Sequence, residues 1–319
     1  MTRWLTPEHI NELSADPKQC SQMDMPLQLD LSKPYVPEDY TQLYYTPVYA
    51  SLSREQRLHY NQLSALRINE YIMMLEADLI ERLLPPLLHH PQVAGDKALL
   101  LALNTMMHEE QRHFRGFAAL NRACRPDLYP PGADRFFSVL PWWTQAMFGV
   151  VGLLSAHLPF ALWFLMAMEE SSKTLAKDMV VRPATETLGV LDQAFVRVHH
   201  EHLKDETRHL HIDAILIERC LERRWETANA WLFKRMLVGV VRPTRGGSGV
   251  KVIHQLVRDL PELACRQDEM VDALLALRNN RAFQVSLFNR RIMPTAFRVF
   301  DRCHALANLG EEMAGYDRR

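Results

Sequence analysis

Cysteine is scarce in this chain of 319 residues: Cys20, Cys124, Cys220, Cys265 and Cys303 are scattered, odd in number and never C-x-x-C. That excludes a disulfide frame and a zinc knuckle, and it fits a reducing compartment. Net charge is lacking too, at -1, so there is no electrostatic case for nucleic acid. The local basic pair Arg223-Arg224 is flanked by Glu222 and Glu226 and reads as a solvated helix face. Met1-Thr2-Arg3-Trp4 lacks the apolar core of a signal peptide, so the expected location is cytoplasmic. Strand-like alternation is nearly absent, and no repeat of solenoid period is evident. The loop Arg242–Gly249 has neither the Gly-Lys-Ser/Thr ending nor the preceding strand of a phosphate loop.

Acidic and basic residues are also missing from Phe136 to Met168, a run long enough to span a bilayer. Pro141 and Pro159 break it, Gln145 and His157 sit inside it, and it runs straight into Glu169. The reading is a buried helix pair walling a core or substrate cavity, with no membrane span.

What the chain does have is helical periodicity and enough length for one large helical domain. Residues 1–52 read as an arm packed on the body: Thr6-Pro7 caps a short helix ending near Asp16-Pro17. Pro26, Pro34, Pro37 and Pro47 then forbid a long one. Residues 53–319 read as a single helical domain. A capping box at Ser53–Gln56 opens a helix over about 54–84, stopped by Pro85-Pro86. Further helices are expected over about 96–125, 159–182 and 188–224, then from Glu226 to Val241, with two or three packing helices to about Leu309.

Charged residues recur at core positions of the first four helices, an error in a core unless functional. His202, Glu206 and His209 stand at i, i+4 and i+7, within an arc of about 60° on a helix. Glu110 and His113 form a second Glu-x-x-His inside an apolar stripe of Leu103, Met106, Phe114 and Phe117. Of fourteen histidines, only His113 and His209 have Glu three residues earlier. About one such pair is expected by chance, so two in the fuller form [DE]-E-x-R-H carry weight together. Glu76 shares its face with Ile72, Met73, Leu79, Ile80 and Leu83, whereas Glu70 looks toward a more polar side. Glu169 aligns with Leu162, Met166, Ser172 and Ala176, while Lys173 and Lys177 mark an exposed face that takes Glu170. His199, His200 and His211 are assigned no metal. The set Glu76, Glu110, His113, Glu169, His202, Glu206 and His209 matches the carboxylate and imidazole ligands of ferritin-like di-iron or di-manganese proteins. The expected fold is all-α, a ferritin-like four-helix bundle with additional packing helices.

Glu, Glu-x-x-His, Glu, then His-x-x-x-Glu-x-x-His resembles the p-aminobenzoate N-oxygenase family of aureothin biosynthesis, over roughly residues 54–224. The two Glu-x-x-His pairs mark the superfamily, and His202 points to the N-oxygenases. The resemblance implies an enzyme of secondary metabolism holding two iron ions, with O2 as co-substrate and an external electron donor, either a protein or another reductant. Its substrate would be a small-molecule or carrier-bound primary amine, commonly an arylamine, taken to hydroxylamine, nitroso or nitro product. It further implies that Asp205 holds His113 and Glu109 holds His209. A homodimer is compatible with this reading. A di-iron hydroxylase or acyl-carrier desaturase is the alternative, against which His202 counts as a seventh ligand. An iron-storing protein fits less well, because a storage bundle needs about half this chain.

Overall fold

The computed structural model describes residues 4–139, 142–153, 160–220 and 225–306. Thr6 accepts from the His9 amide and Pro7 opens α1 (Pro7–Ala15). The proline-rich stretch that follows holds only short 3-10 turns and α2 (Pro47–Ser51). Ser53 and Gln56 then close a reciprocal capping box on α3 (Arg54–Met74). The helix does not stop before Pro85-Pro86. It passes through a π-helical segment, Leu75–Ile80, into α4 (Glu81–Leu87), with both prolines inside. Each proline removes one backbone bond, to the Glu81 or the Arg82 carbonyl, and the helix ends within a turn of them at Leu87.

After α5 (Pro91–Ala94), Asp96 accepts the Leu99 amide to start α6 (Lys97–Cys124). Then come α7 (Trp142–Leu153), α8 (Phe160–Val181) and α9 (Gln193–Cys220). Helix α9 begins later than position 188 because Asp192 caps it, accepting the Phe195 amide at 2.7 Å. Positions 221–224 lie outside the described residues. The chain continues with α10 (Glu226–Val241), α11 (Ser248–Asp259), α12 (Gln267–Ala276), α13 (Arg281–Leu287) and α14 (Pro294–Phe300). Among the described residues, the C-terminal region after α10 therefore holds four short α-helices, not two or three. Pro261, Asn280 and Pro294 start new turns and divide them.

No strand occurs among the described residues, only an isolated bridge between Ala184 and Val190. Helix α3 packs on α6, α6 on α9 and α9 on α8, and the π segment touches both α6 and α8. This closes an all-α, ferritin-like four-helix bundle with the remaining helices packed around it. Its interior divides into two apolar cores. One gathers Leu83, Leu84, Leu103, Met106, Leu162, Met166, Ile212 and Leu216. The other gathers Leu63, Leu66, Phe117, Leu120, Leu175, Phe195 and Val198. Helices α6, α8 and α9 pass from one core to the other, as does α3 through the π segment that follows it, and the charged residues fall where the cores part.

The arm contributes Ile10 to the first core and Tyr35, Val36 and Leu43 to the second, Tyr35 stacking on Phe195 at 4.6 Å. The uncharged run from Phe136 is not buried throughout, since Val150 and Leu153 of α7 are 56% and 76% exposed. The expected breaks at Pro141 and Pro159, and His157 between them, lie outside the described residues. Among the described residues no helix is long and apolar enough to cross a membrane.

Candidate metal centre

The junction between the cores is lined by Glu76 from the π segment, Glu110 and His113 from α6, Glu169 from α8, and His202, Glu206 and His209 from α9, all buried. Glu206 Oε1 is central: it lies 2.9 Å from His202 Nε2, 3.5 Å from His209 Nδ1 and 3.7 Å from His113 Nδ1. Glu110 spans the same space, with Oε1 2.8 Å from His209 Nδ1 and Oε2 3.6 Å from His113 Nδ1. Glu76 Oε1 closes one side, 3.4 Å from His202 Nε2 and 3.9 Å from His113 Nδ1. Two overlapping sets result, Glu76 with His113 and His202, and Glu110 with His113, Glu206 and His209, each with donor atoms within 4.8 Å of one another.

Glu169 stands apart from these sets. Burial, and then the carboxylate of Asp213, push its pKa well above the ordinary range. Asp213 on α9 is itself buried, and burial pushes it up to about 7. Sequence reasoning assigned Asp213 no role. Its signal was the register, four residues after His209 on the ligand face of α9.

Two corrections concern the neighbouring acids. Glu170 is fully buried, not exposed beside the lysines: its oxygens accept the Thr295 and Ala296 amides at 2.9 and 2.6 Å. Helix α14 covers that side of α8, and its first amides need an acceptor. Glu70 does not look toward a polar side. It is buried and accepts from Tyr129 Oη at 2.6 Å and from the Phe136, Phe137 and Ser138 amides. It thus pins the loop leading into α7.

An outer layer orients the imidazoles. His113 Nε2 donates to Asp205 Oδ2 at 2.9 Å and His209 Nε2 donates to Glu109 Oε2 at 2.9 Å. Each ring then turns Nδ1 toward the girdle. Arg208 donates from Nη2 to both acids, at 2.7 Å to Glu109 and 2.6 Å to Asp205. The arm completes this layer: the Ser21 amide donates to Asp205 at 3.1 Å, and Gln19 O accepts from Arg208 at 2.7 Å. Cys20 lies near Glu109 and Asp205, but arginines already neutralise those acids and its thiol donates to Ser14 O.

The electrostatics fit a cation. Burial pushes Glu76 up to about 7. Burial opposes charge on His202, yet Glu206 and Glu76 hold its pKa up at about 10. His199, buried behind it without a carboxylate, is pushed down to about 3. The girdle thus balances its carboxylates with protons on imidazoles. Orphaned buried atoms concentrate here too: both oxygens of Glu76 and Glu169, one each of Glu110 and Glu206, and Nδ1 of His113 and His209 lack a hydrogen-bond partner. Buried polar atoms are rarely left so. Hard oxygen and imidazole donors converging without partners suit divalent first-row metals.

Comparison with curated proteins gives no match to this chain. A family model does match, that of the p-aminobenzoate N-oxygenase AurF, over residues 10–246. The matched stretch takes in all four bundle helices and the arm that buttresses the outer layer. With a buried cluster of glutamate and histidine that could hold a metal at the centre of that stretch, the chain belongs to the AurF family of p-aminobenzoate N-oxygenases.

Proposed function

We propose that Glu76, Glu110, His113, Glu169, His202, Glu206 and His209 hold two iron ions, and that the enzyme uses them with O2 to oxidise the nitrogen of a primary arylamine. The observation that carries this reading is the concentration of unpartnered carboxylate and imidazole atoms where the two apolar cores part. Bound as a reduced pair, iron would supply electrons and open coordination positions for dioxygen, with an external donor restoring the electrons. The protein's own residues do the rest. Glu110 and Glu206 reach both halves of the girdle, Asp205 and Glu109 fix the rings of His113 and His209, and the apolar cores on either side exclude water.

The substrate would enter a cavity of about 240 Å³ walled by Leu75 and Met168, the residues just before Glu76 and Glu169. Tyr40, Tyr45, Tyr71, Phe164 and Phe283 line it, as suits an aromatic ring. Arg67 also lines it, buried, stacked 5.3 Å from the Tyr71 ring and without an acidic partner among the described residues. An anionic substituent on the ring would meet it there.

Metal analysis should give two irons per chain, with losses in Glu110→Ala and Glu206→Ala. Two irons retained in either variant would overturn the metal assignment. Reduced, iron-loaded protein under oxygen-18 gas should turn a primary arylamine into labelled hydroxylamine, nitroso or nitro product. Turnover of an alkyl or acyl-carrier substrate, with no amine consumed, would keep the metals and overturn the N-oxygenation.

A further inference from the structure

Buried carboxylates in this protein sort into two groups. Glu38, Glu70, Glu109, Glu170, Asp192 and Asp205 each accept hydrogen bonds from amides, hydroxyls, imidazole or arginine. The others keep at least one oxygen with no hydrogen-bond partner among the described residues: Glu76, Glu110, Glu169, Glu206 and Asp213. The first four are the carboxylates assigned to the metals. Asp213 alone belongs to that group without a role.

Its position sharpens the point. Asp213 lies four residues after His209 and seven after Glu206, so it continues their face one turn further along α9. That turn runs into the first apolar core, where Leu210, Ile212, Ala214 and Leu216 are buried around it. Asp213 is completely buried, and its oxygens find no amide, hydroxyl, imidazole or arginine donor among the described residues; the group that interacts with it most is the Glu169 carboxyl. Two carboxyls buried side by side can both ionise only at a cost of several kcal/mol, which a cation between them offsets. No lysine or arginine ion pair reaches Asp213 among the described residues.

Asp213 and Glu169 stand together beside one of the two sets: both interact with Glu110, Glu206 and His209 of the larger set, and neither belongs to the set of Glu76, His113 and His202. We propose that Asp213 is an eighth protein ligand, a terminal carboxylate for the metal on the His209 side. This rests on the di-metal reading above and goes beyond its seven residues.

Anaerobic titration with cobalt(II) tests it, followed by the visible absorption of the bound ion in wild type and Asp213→Asn. Wild type should take two equivalents. In Asp213→Asn the first equivalent should bind as in wild type and the second at least tenfold more weakly, with an altered spectrum. Metal-free Asp213→Asn should melt no lower than metal-free wild type, because one of two neighbouring buried acids has been replaced by a neutral amide that can donate to the other. Unchanged affinity and spectrum for the second equivalent would overturn the ligand role and leave the seven-residue site standing. A metal-free variant that no longer folds would also overturn it, since Asp213 would then be a structural acid. Wild type taking fewer than two equivalents would overturn both readings.

Discussion

Arg208 holds the outer layer of the site together from a position that the Glu-x-x-His motif hides. It lies between Glu206 and His209, and one of its nitrogens bridges the two acids that orient the histidines. Its side chain is only 4% exposed. Arg208→Met should therefore destabilise the metal-free protein by about 3–5 kcal/mol, the usual cost of leaving buried acids without their cation. Denaturant unfolding checks this, and a loss below about 1 kcal/mol would show that Arg112 suffices. The burial of Glu76, Glu110, His113, Glu169, His202, Glu206 and His209 was legible in sequence, because register on one helix fixes which side chains share a face. That of Glu70, Asp213 and Glu170 was not. The partners of Glu170, the Thr295 and Ala296 amides, lie more than a hundred residues downstream, and no local pattern announces them.

At the scale of elements, the four bundle helices were readable from caps, prolines and charge inside apolar stripes. The π-helical turn that carries Glu76 was not, because a one-residue change of register leaves the apolar pattern nearly intact. Such turns recur at functional sites. The arm was readable as a packed segment but not as part of the outer layer, which it joins through Ser21 and Gln19. A second tie fastens it near the start of α9. Glu38 accepts from Tyr49 Oη at 2.6 Å, from Thr187 Oγ1 at 2.7 Å and from the Thr187 amide at 2.8 Å. Burial works against its charge, but the donors from Thr187 and Tyr49 win and hold its carboxyl below the ordinary value. A depressed folded pKa gives stability that is present above the unfolded value and lost as pH falls through the folded one. Glu38→Gln should thus cost about 1–3 kcal/mol at neutral pH. The gap from wild type should narrow in thermal melts below about pH 4. A gap that stays constant with pH would mean that packing, not charge, holds the arm.

Across the whole molecule, segments far apart in sequence meet around the cavity. Its walls come from the arm through Tyr40 and Tyr45, from α3 through Arg67 and Tyr71, and from α8 through Phe164 and Ser172. Helix α13 adds Phe283 and Ser286. The sequence marks each as an apolar or mixed helix face, but their convergence is a product of tertiary packing and leaves no local trace. Two of the arginines lining this space differ in a way that bears on substrate choice. Arg182 is neutralised by Asp39 and Asp178, at 3.0 and 2.8 Å. Arg67 is buried with the Tyr71 ring stacked on it and has no acidic partner among the described residues, so its charge is available to a ligand. A charge-assisted contact of this kind is worth about 1.5–3 kcal/mol, or about tenfold to a hundredfold in affinity. Arg67→Met keeps an apolar stem of similar reach and should leave metal content and kcat near wild type. It should raise KM about tenfold or more for arylamines bearing a carboxylate, while neutral arylamines change little. Steady-state kinetics on matched pairs of anionic and neutral amines reads the difference directly. An equal rise for both would make Arg67 a packing residue of the cavity wall, and the preference for an anionic ring would fall with it.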